Sequence, residues 1–253
     1  MSARQLIGRT NIAPSASAVN EVKVDVFDQT SHTARPVALP ALVGGSPREI
    51  RELAQNVRTV FAIDDSGSMY GLFGDPTGIR YAAAQSLVAM QRRSGGGLAG
   101  VVHWGTWAPY DMVTPLVDVR RNRRLLNRGL TIPETLGGND MPAALRRVAE
   151  VLPPLGRNDV PLVFVITDGI EDVTAEMHAA VAALPQGTVH MLLIDCWNGC
   201  SEEMERAWRT VAFGSFTRLP HFDTKAMAMA LAAVYAQSLG LSMGSTPTVR
   251  RRK

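Results

Sequence analysis

The stretch Val60-Phe61-Ala62-Ile63-Asp64-Asp65-Ser66-Gly67-Ser68 decides the fold of this chain. Its apolar half predicts a buried strand, and its polar half predicts the tight loop that follows the strand. Side chains two positions apart in an extended segment point the same way, so Asp64, Ser66 and Ser68 are expected to converge on one point. One carboxylate and two hydroxyls offer only oxygen ligands, a set that favours Mg²⁺ or Mn²⁺ over zinc.

A second apolar strand ends in the same way further along the chain, where Val163-Phe164-Val165-Ile166 runs into Thr167-Asp168-Gly169. The segments between and after these two stretches alternate between predicted strands and helices, which is typical of a mostly parallel sheet covered on both faces. Ligands of such sheets bind beyond the carboxyl ends of the strands. The carboxylates of Asp64 and Asp168 are therefore predicted to meet at one edge of the sheet.

The order Asp-x-Ser-x-Ser followed by Thr-Asp-Gly resembles the metal-ion-dependent adhesion site (MIDAS) of von Willebrand factor type A (VWA) domains. The resemblance covers roughly residues 58–240. It implies a Rossmann-like three-layer α/β/α sandwich with a mostly parallel central sheet and one antiparallel edge strand. It also implies that Asp64, Ser66 and Ser68 bind the metal directly, while Asp168 acts through water or from behind the direct ligands.

A third loop of the family departs from the usual pattern in this chain. The family supplies a threonine ligand from a Gly-Gly-Thr sequence, and the matching stretch here is Gly137-Gly138-Asn139-Asp140. The amide oxygen of Asn139 is one candidate ligand, and the neighbouring carboxylate of Asp140 is the other. The sequence leaves both open.

The resemblance also implies a partner, because in this family the open coordination position accepts an Asp or Glu carboxylate from another protein. A buried acid is costly unless it is paired or coordinates a metal, so a metal-bridged contact is physically reasonable. The residues predicted to contact the partner are Asp65, Met69, Tyr70, Phe73 and Glu171. Packing of Phe73 beneath the first loop is an alternative for that side chain.

The leading functional hypothesis is a non-catalytic, metal-dependent protein-interaction module. Stand-alone intracellular bacterial proteins of this type resemble adaptors in stress-response systems or partners of AAA+ ATPases. One alternative is a metal-assisted hydrolase or phosphotransferase, although an aspartyl-phosphate enzyme favours Asp-x-Asp where this chain has Ser66, and the candidate base His103 lies inside a predicted strand. Another alternative is a structural component of an assembly with a vestigial metal site.

Composition sets the broad class of the protein. The chain has 253 residues, of which 46% are hydrophobic and 19% charged, with a formal net charge of +3. These values are typical of a globular protein rather than a disordered one. An apolar membrane span and a secretory signal are not apparent, so a cytoplasmic protein without a membrane partner is expected.

Two further sequence features have mostly structural interpretations. Arginines are dense at positions 120, 121, 123, 124 and 128, which favours a solvated helix face or a patch for an acidic partner. No interleaved aromatic residues accompany them, so a nucleic-acid partner is not expected. Cys196 and Cys200 are expected to be free thiols in a reducing compartment, with a small disulfide or half of a zinc site as alternatives.

The predicted organisation has three parts. Residues 1–57 form an N-terminal extension with a flexible arm, a β-hairpin and a short helix that begins at Ser46-Pro47. Residues 58–240 form the VWA domain. Residues 241–253 form a basic tail.

Overall fold

The computed structural model describes residues 34–70, 74–75, 77–105, 112–133, 139–170, 172–195 and 202–245, which form a mixed α/β unit around a six-stranded sheet. The strands of this sheet are β2 (Val57–Asp64), β3 (Leu98–Trp104), β4 (Val113–Asp118), β5 (Val160–Thr167), β6 (Val189–Ile194) and β7 (Ser215–Leu219). They lie in the order β4-β3-β2-β5-β6-β7. All neighbours are parallel except β4, which pairs antiparallel with β3 at one edge.

The two motif strands are neighbours at the centre of the sheet. β2 and β5 pair in parallel with Ile63 opposite Ile166, so both strands end at the same edge. Their side chains are buried on both faces, as expected for near-continuous apolar runs in a parallel sheet. Phe61 and Phe164 stack with ring centroids 5.8 Å apart, which fixes the two strands side by side.

Helices cover both faces of the sheet. They are α1 (Pro47–Gln55), α2 (Ile79–Ser94), α3 (Arg123–Gly129), α4 (Met141–Val151), α5 (Ala175–Ala182), α6 (Glu202–Trp208) and α7 (Thr224–Ser238). One core contains Leu87 of α2 and Leu231 of α7, and the other contains Leu145 of α4 and Met177 of α5. The two cores lie on opposite faces of the sheet, so the predicted three-layer sandwich with an antiparallel edge strand is confirmed.

The first helix begins as the sequence predicts. The Ser46 hydroxyl accepts a hydrogen bond from the backbone N–H of Glu49, and the Glu49 carboxylate accepts one from the Ser46 N–H. This reciprocal capping box, with Pro47 at the first position, starts α1, and Asn56 ends it.

Residues on both sides of the predicted domain boundaries join the same unit. β1 (Leu42–Val43) pairs antiparallel with β8 (Ser242–Met243), and Leu39 and Leu42 belong to the core that α2 and α7 share. The predicted tail, residues 241–253, therefore contains a short strand that pairs with the N-terminal segment, and the predicted domain boundaries stay a prediction. The predicted N-terminal arm falls in residues 1–33, and Cys196 and Cys200 also lie outside the described residues.

Within the described ranges, every helix is too short or too polar to cross a lipid bilayer.

Candidate functional site

The candidate site is built around Asp64, the last residue of β2. Its side chain is 1% exposed and accepts two hydrogen bonds from the protein. The Thr167 hydroxyl, at the end of β5, donates to Asp64 Oδ2 at 2.6 Å, and the Ser66 backbone N–H donates to Asp64 Oδ1 at 2.8 Å. The carboxylate is thus fixed between the two strand ends, as the parallel pairing predicts.

The two serines of the first loop converge as predicted. Ser66 Oγ and Ser68 Oγ lie 3.0 Å apart, and a 3₁₀ turn over Gly67–Tyr70 forms the loop that carries Ser68. Ser66 is 4% exposed and Ser68 is half-buried. The loop therefore places two hydroxyl oxygens beside each other, directly after the Asp64 carboxylate.

Asp168 supplies a second carboxylate, and one of its oxygens has no hydrogen-bond partner among the described residues. Asp168 Oδ1 accepts a hydrogen bond from the Ile170 N–H at 3.2 Å. Asp168 Oδ2 is buried and makes no hydrogen bond within the described structure. A buried polar atom without a partner is costly, and it marks a place where a cation, or water bound to one, would be stabilised.

Electrostatics at this edge favour the uptake of positive charge. Burial raises the pKa of Asp64 to about 7, and the neighbouring Asp168 carboxylate raises it further. The hydrogen bonds from Thr167 and Ser66 lower this pKa and offset part of the rise. Desolvation and a like charge both disfavour the ionised carboxylate. A proton or a cation at Asp64 relieves this cost.

The middle loop reaches the same edge through Asn139. Trp104, which lies opposite Asp64 in the β2–β3 register, donates from Nε1 to Asn139 Oδ1 at 3.0 Å. Asn139 Nδ2 donates to the Ile170 carbonyl at 3.4 Å, next to the Asp168 turn. The Asn139 amide therefore joins the loop to both neighbouring strand ends.

Asp140 has a different role in the structure. Its Oδ1 accepts the Ala143 N–H at 2.8 Å and so caps the start of α4. One oxygen of each candidate, Asn139 and Asp140, is thus engaged by the protein. The sequence prediction that one of them replaces the family's threonine stays a prediction.

The predicted partner contacts are only partly accessible. Asp65 and Met69 are each 0% exposed, so neither side chain is accessible in this structure, and their contact with a partner stays a prediction. Tyr70 is half-buried, and Phe73 and Glu171 lie outside the described residues. Sequence reasoning missed Ile170, which is 45% exposed directly after the Asp168-Gly169 turn.

A buried ionic cluster packs against the interior side of the first loop, and the sequence did not predict this cluster. Arg80 Nη2 lies 2.6 Å from Asp65 Oδ1, and Arg80 Nη1 lies 3.0 Å from Asp75 Oδ2. His103 Nδ1 is 2.6 Å from Asp65 Oδ2, and its Nε2 is 2.7 Å from the Gly129 carbonyl. Because Asp65 directly follows Asp64, this cluster fixes the backbone that presents the candidate ligands.

Hydrogen bonds from two tyrosines complete the cluster. The hydroxyls of Tyr70 and Tyr81 both donate to Asp65 Oδ1. Burial alone would raise the pKa of Asp65, but Arg80, His103 and the hydrogen bonds from His103 and Tyr81 outweigh it, and the pKa is lowered. Asp65 therefore has protein partners that stabilise its ionised carboxylate, whereas burial disfavours the ionised form of Asp64.

In the part of the chain that the structure describes, no three His, Cys, Asp or Glu side chains form a group suited to a metal. A cation here would depend on two carboxylates supplemented by hydroxyl and amide oxygens. That donor set fits a hard divalent cation.

Comparisons with known proteins give a fold but no close relative. No family model matches the chain, and no curated protein matches it. The pilus adhesin SpaC from Lactobacillus rhamnosus GG is similar in structure, with a TM-score of 0.58 and 14% identity over 73% of this chain and 30% of SpaC.

Two other solved structures agree. A von Willebrand factor type A protein from Catenulispora acidiphila has a TM-score of 0.51 and 19% identity over 74% of this chain and 43% of its own. A D319A mutant of the minor pilin PilB from Streptococcus sanguinis has a TM-score of 0.51 and 12% identity over 73% of this chain and 62% of its own. The resemblance in the sequence and the likeness in structure therefore agree on one conclusion, that this chain has the fold of von Willebrand factor type A domains.

Proposed function

We propose that this protein is a protein-interaction module that uses a divalent cation to bind an acidic side chain of its partner. The observation that carries this proposal is the buried Asp168 Oδ2, which makes no hydrogen bond to any described residue and lies at the same sheet edge as the hydrogen-bonded Asp64 carboxylate. The hydroxyls of Ser66 and Ser68, 3.0 Å apart, supply the neutral oxygens that such a site needs.

Each residue of the site has a defined task in this proposal. Asp64, Ser66 and Ser68 would hold Mg²⁺ or Mn²⁺ directly, and Asp168 would bind through water or orient the direct ligands. Asn139 or Asp140 would contribute from the middle loop. The bound cation would supply the positive charge that stabilises a partner carboxylate at a buried contact.

The buried ionic cluster has an indirect task. Asp65, Arg80 and His103 hold the loop after β2 in one conformation, so Ser66 and Ser68 do not need to be ordered when a cation binds. A preorganised set of ligands binds a cation more tightly than a flexible one does, because less conformational entropy is lost.

The environment of His103 supports a binding role over catalysis. His103 is the one histidine that the sequence offers as a base for the motif, and it is 3% exposed. Both of its ring nitrogens are engaged, one by Asp65 and the other by the Gly129 carbonyl. A general base has to reach the proton that it abstracts, and His103 faces the interior.

The surface beside the site suits a mixed polar and apolar contact. Ile170 is 45% exposed and follows Asp168 by two residues. The buried core of a protein interface is more apolar than its rim, and an exposed apolar side chain can supply such a contact. We propose that the partner presents an Asp or Glu beside an apolar residue that contacts Ile170.

Affinity capture from a cell lysate tests this function. The bait is the whole chain, either wild type or Asp64→Asn, captured with Mg²⁺ and again with EDTA. Partners that bind only to the wild type and only with Mg²⁺ support the proposal.

A matched control is the Asp172→Asn variant, which changes an exposed carboxylate close to the site. This variant is expected to keep its partners. Partners that are still captured in EDTA and by the Asp64→Asn variant would overturn a metal-bridged contact. If wild type hydrolyses phosphoesters and only the Asp64→Asn variant loses this activity, the result would favour an enzyme. An adaptor role in a stress-response or AAA+-linked system, in the cytoplasm, is a further proposal that the identity of the captured partners would test.

A further inference from the structure

A second surface with a defined chemistry lies at the opposite edge of the sheet from the candidate metal site. β2 and β3 begin there and β4 ends there, and a groove of about 600 Å³ opens between them. We call it the basic groove and define it by residues on its walls, Arg58, Gly95, Gly97, Asp118, Arg120 and Arg121. It shares no residue with the Asp64 site.

Close approach of the backbone shapes the groove. Gly95 has a φ of +135°, and a Cβ there would lie 2.7 Å from the Cα of Arg51. A Cβ on Gly96 would lie 3.3 Å from Arg120 Cδ. The turn at Gly95 and Gly96 therefore lies between Arg51 and Arg120. Because these glycines have no Cβ, both arginines can approach the turn closely.

The acidic groups of the groove are already used by the protein. Asp118 Oδ1 accepts the backbone N–H groups of Arg120 and Arg121 at 2.8 and 2.9 Å, which fixes the turn after β4. Asp159 pairs with Arg58 at 2.7 Å. The side chains of Arg120 and Arg121 are exposed, and no carboxylate among the described residues forms an ion pair with either of them.

Positive charge continues from the groove onto the neighbouring helices. Arg92 and Arg93 lie in the last turn of α2, and Arg123 begins α3. Partial burial, and then the nearby cations Arg123 and Arg93, lower the pKa of Arg92. Like charges are therefore held close together, and a partner that supplies negative charge would relieve their repulsion.

We propose that the basic groove binds an acidic segment of a partner protein, with Arg120 and Arg121 pairing its carboxylates. The planar guanidinium donates two parallel hydrogen bonds to a carboxylate, which suits a row of Asp or Glu side chains. The groove has the volume of a binding cleft for a few side chains. None of its lining residues is aromatic, so it lacks the stacking surfaces that single-stranded nucleic acids use.

A binding titration with a labelled poly-glutamate peptide tests the proposal. The whole chain is titrated in low salt with EDTA, so that a cation at the Asp64 site cannot bind the peptide. Wild type is expected to bind, and its affinity is expected to fall as salt is added, because exposed charges are screened. The double variant Arg120→Glu and Arg121→Glu is expected to bind about tenfold more weakly or worse.

The matched control is the double variant Arg206→Glu and Lys225→Glu, which changes the net charge equally at exposed positions on α6 and α7. It is expected to keep wild-type affinity, and thermal unfolding of both double variants checks that they fold. Three results would overturn the proposal: no binding by wild type, an equal loss in both double variants, or tighter binding of a single-stranded oligonucleotide of equal charge. Because EDTA is present throughout, these outcomes do not depend on the metal site.

Discussion

At the residue scale, the site depends on two neighbouring carboxylates that point to opposite sides of one strand end. Asp64 faces the end of β5, where Thr167 donates to it and Asp168 adds a like charge. Asp65 faces α2, where Arg80 pairs with it at 2.6 Å. Burial raises the pKa of Asp64, whereas Arg80 and the hydrogen bonds from His103 and Tyr81 help to outweigh burial at Asp65 and lower its pKa. Asp65 is therefore paired with the guanidinium of Arg80, whereas the Asp64 carboxylate would be stabilised by a bound cation.

The first prediction concerns Asp64 and pH. Because its pKa rises from an ordinary 3.8 to about 7 on folding, the folded protein keeps a proton that the unfolded chain loses between these values. Without metal, the free energy of unfolding is therefore expected to fall as pH rises through this window, by at most about 1.4 kcal/mol per pH unit. Urea denaturation in EDTA at several pH values measures this slope.

The Asp64→Asn variant should lose this contribution to the slope, because the amide does not titrate. The Asp172→Asn variant changes an exposed carboxylate that is neither Asp64 nor Asp168, and it is expected to keep the pH dependence of wild type. A wild-type slope in Asp64→Asn would show that Asp64 does not carry the proton.

The second prediction concerns Arg80. The Arg80→Met variant leaves the carboxylates of Asp65 and Asp75 buried without their cation, and both are 0% exposed. Removing one partner of a buried ion pair costs about 3–5 kcal/mol. Arg48→Met breaks a pair with Glu52 in which the arginine is 87% exposed, and it is expected to cost about 1 kcal/mol at most. Equal losses in urea denaturation would contradict a supporting role for the cluster.

At the scale of secondary-structure elements, the ends of the strands position the chemistry. β5 ends at Thr167, and the chain then turns sharply through Gly169, which has a φ of +73°. A Cβ on Gly169 would lie 2.3 Å from Leu193 Cδ1, and the Gly169 carbonyl accepts a hydrogen bond from Trp208 Nε1 at 3.2 Å. The turn that carries Asp168 is therefore packed tightly against β6 and α6.

The third prediction compares two glycines with the same backbone conformation. Gly187 has a φ of +77° and open space where a Cβ would lie. Gly187→Ala is expected to cost about 1 kcal/mol of strain, and Gly169→Ala about 1–3 kcal/mol more because Leu193 must move. Gly169→Ala should also weaken Mg²⁺ binding by displacing Asp168. Urea denaturation and a Mg²⁺ titration of both variants test this, and equal effects would contradict a positioning role for the turn.

Sequence patterns predicted the two motif strands and the first helix but not the contacts between distant segments. The apolar run Val163-Phe164-Val165-Ile166 predicted a buried strand, and it lies within β5, because continuous apolar residues with a polar end are typical of a buried parallel strand. The pairing of Arg80 with Asp65 joins positions that lie on different elements, and local periodicity carries no information about it. The β1–β8 pairing is only two residues long, too short for a strand pattern.

At the site, the same limits applied. The spacing of Asp64, Ser66 and Ser68 predicted that these side chains lie together, although Ser68 lies on a 3₁₀ turn rather than on an extended segment. Asp65 and Met69 lie at the intervening positions, and the structure shows both to be buried, which the sequence did not predict. The Trp104–Asn139 hydrogen bond and the exposure of Ile170 required the loops to be placed in three dimensions.

At the scale of the whole molecule, the two candidate surfaces lie at opposite edges of one six-stranded sheet. The carboxyl edge presents Asp64 and Asp168, and the amino edge presents the basic groove around Arg120 and Arg121. Both surfaces suit acidic groups, one through a cation and the other through guanidinium groups. Binding at the carboxyl edge is expected to require a divalent metal, whereas binding at the amino edge is expected to depend on salt concentration.

The central claim is that Asp64, Ser66 and Ser68 hold a divalent cation, and a calorimetric titration of the metal-free protein with Mn²⁺ tests it most directly. Wild type is expected to bind one Mn²⁺ per chain, more tightly at pH values above the Asp64 pKa of about 7 than below it, because the ligand must be ionised. Asp64→Asn and the double variant Ser66→Ala and Ser68→Ala are expected to lose this binding, and Asp172→Asn to retain it. Binding by the Asp64→Asn variant with wild-type affinity, or no binding by the folded wild type, would contradict the claim.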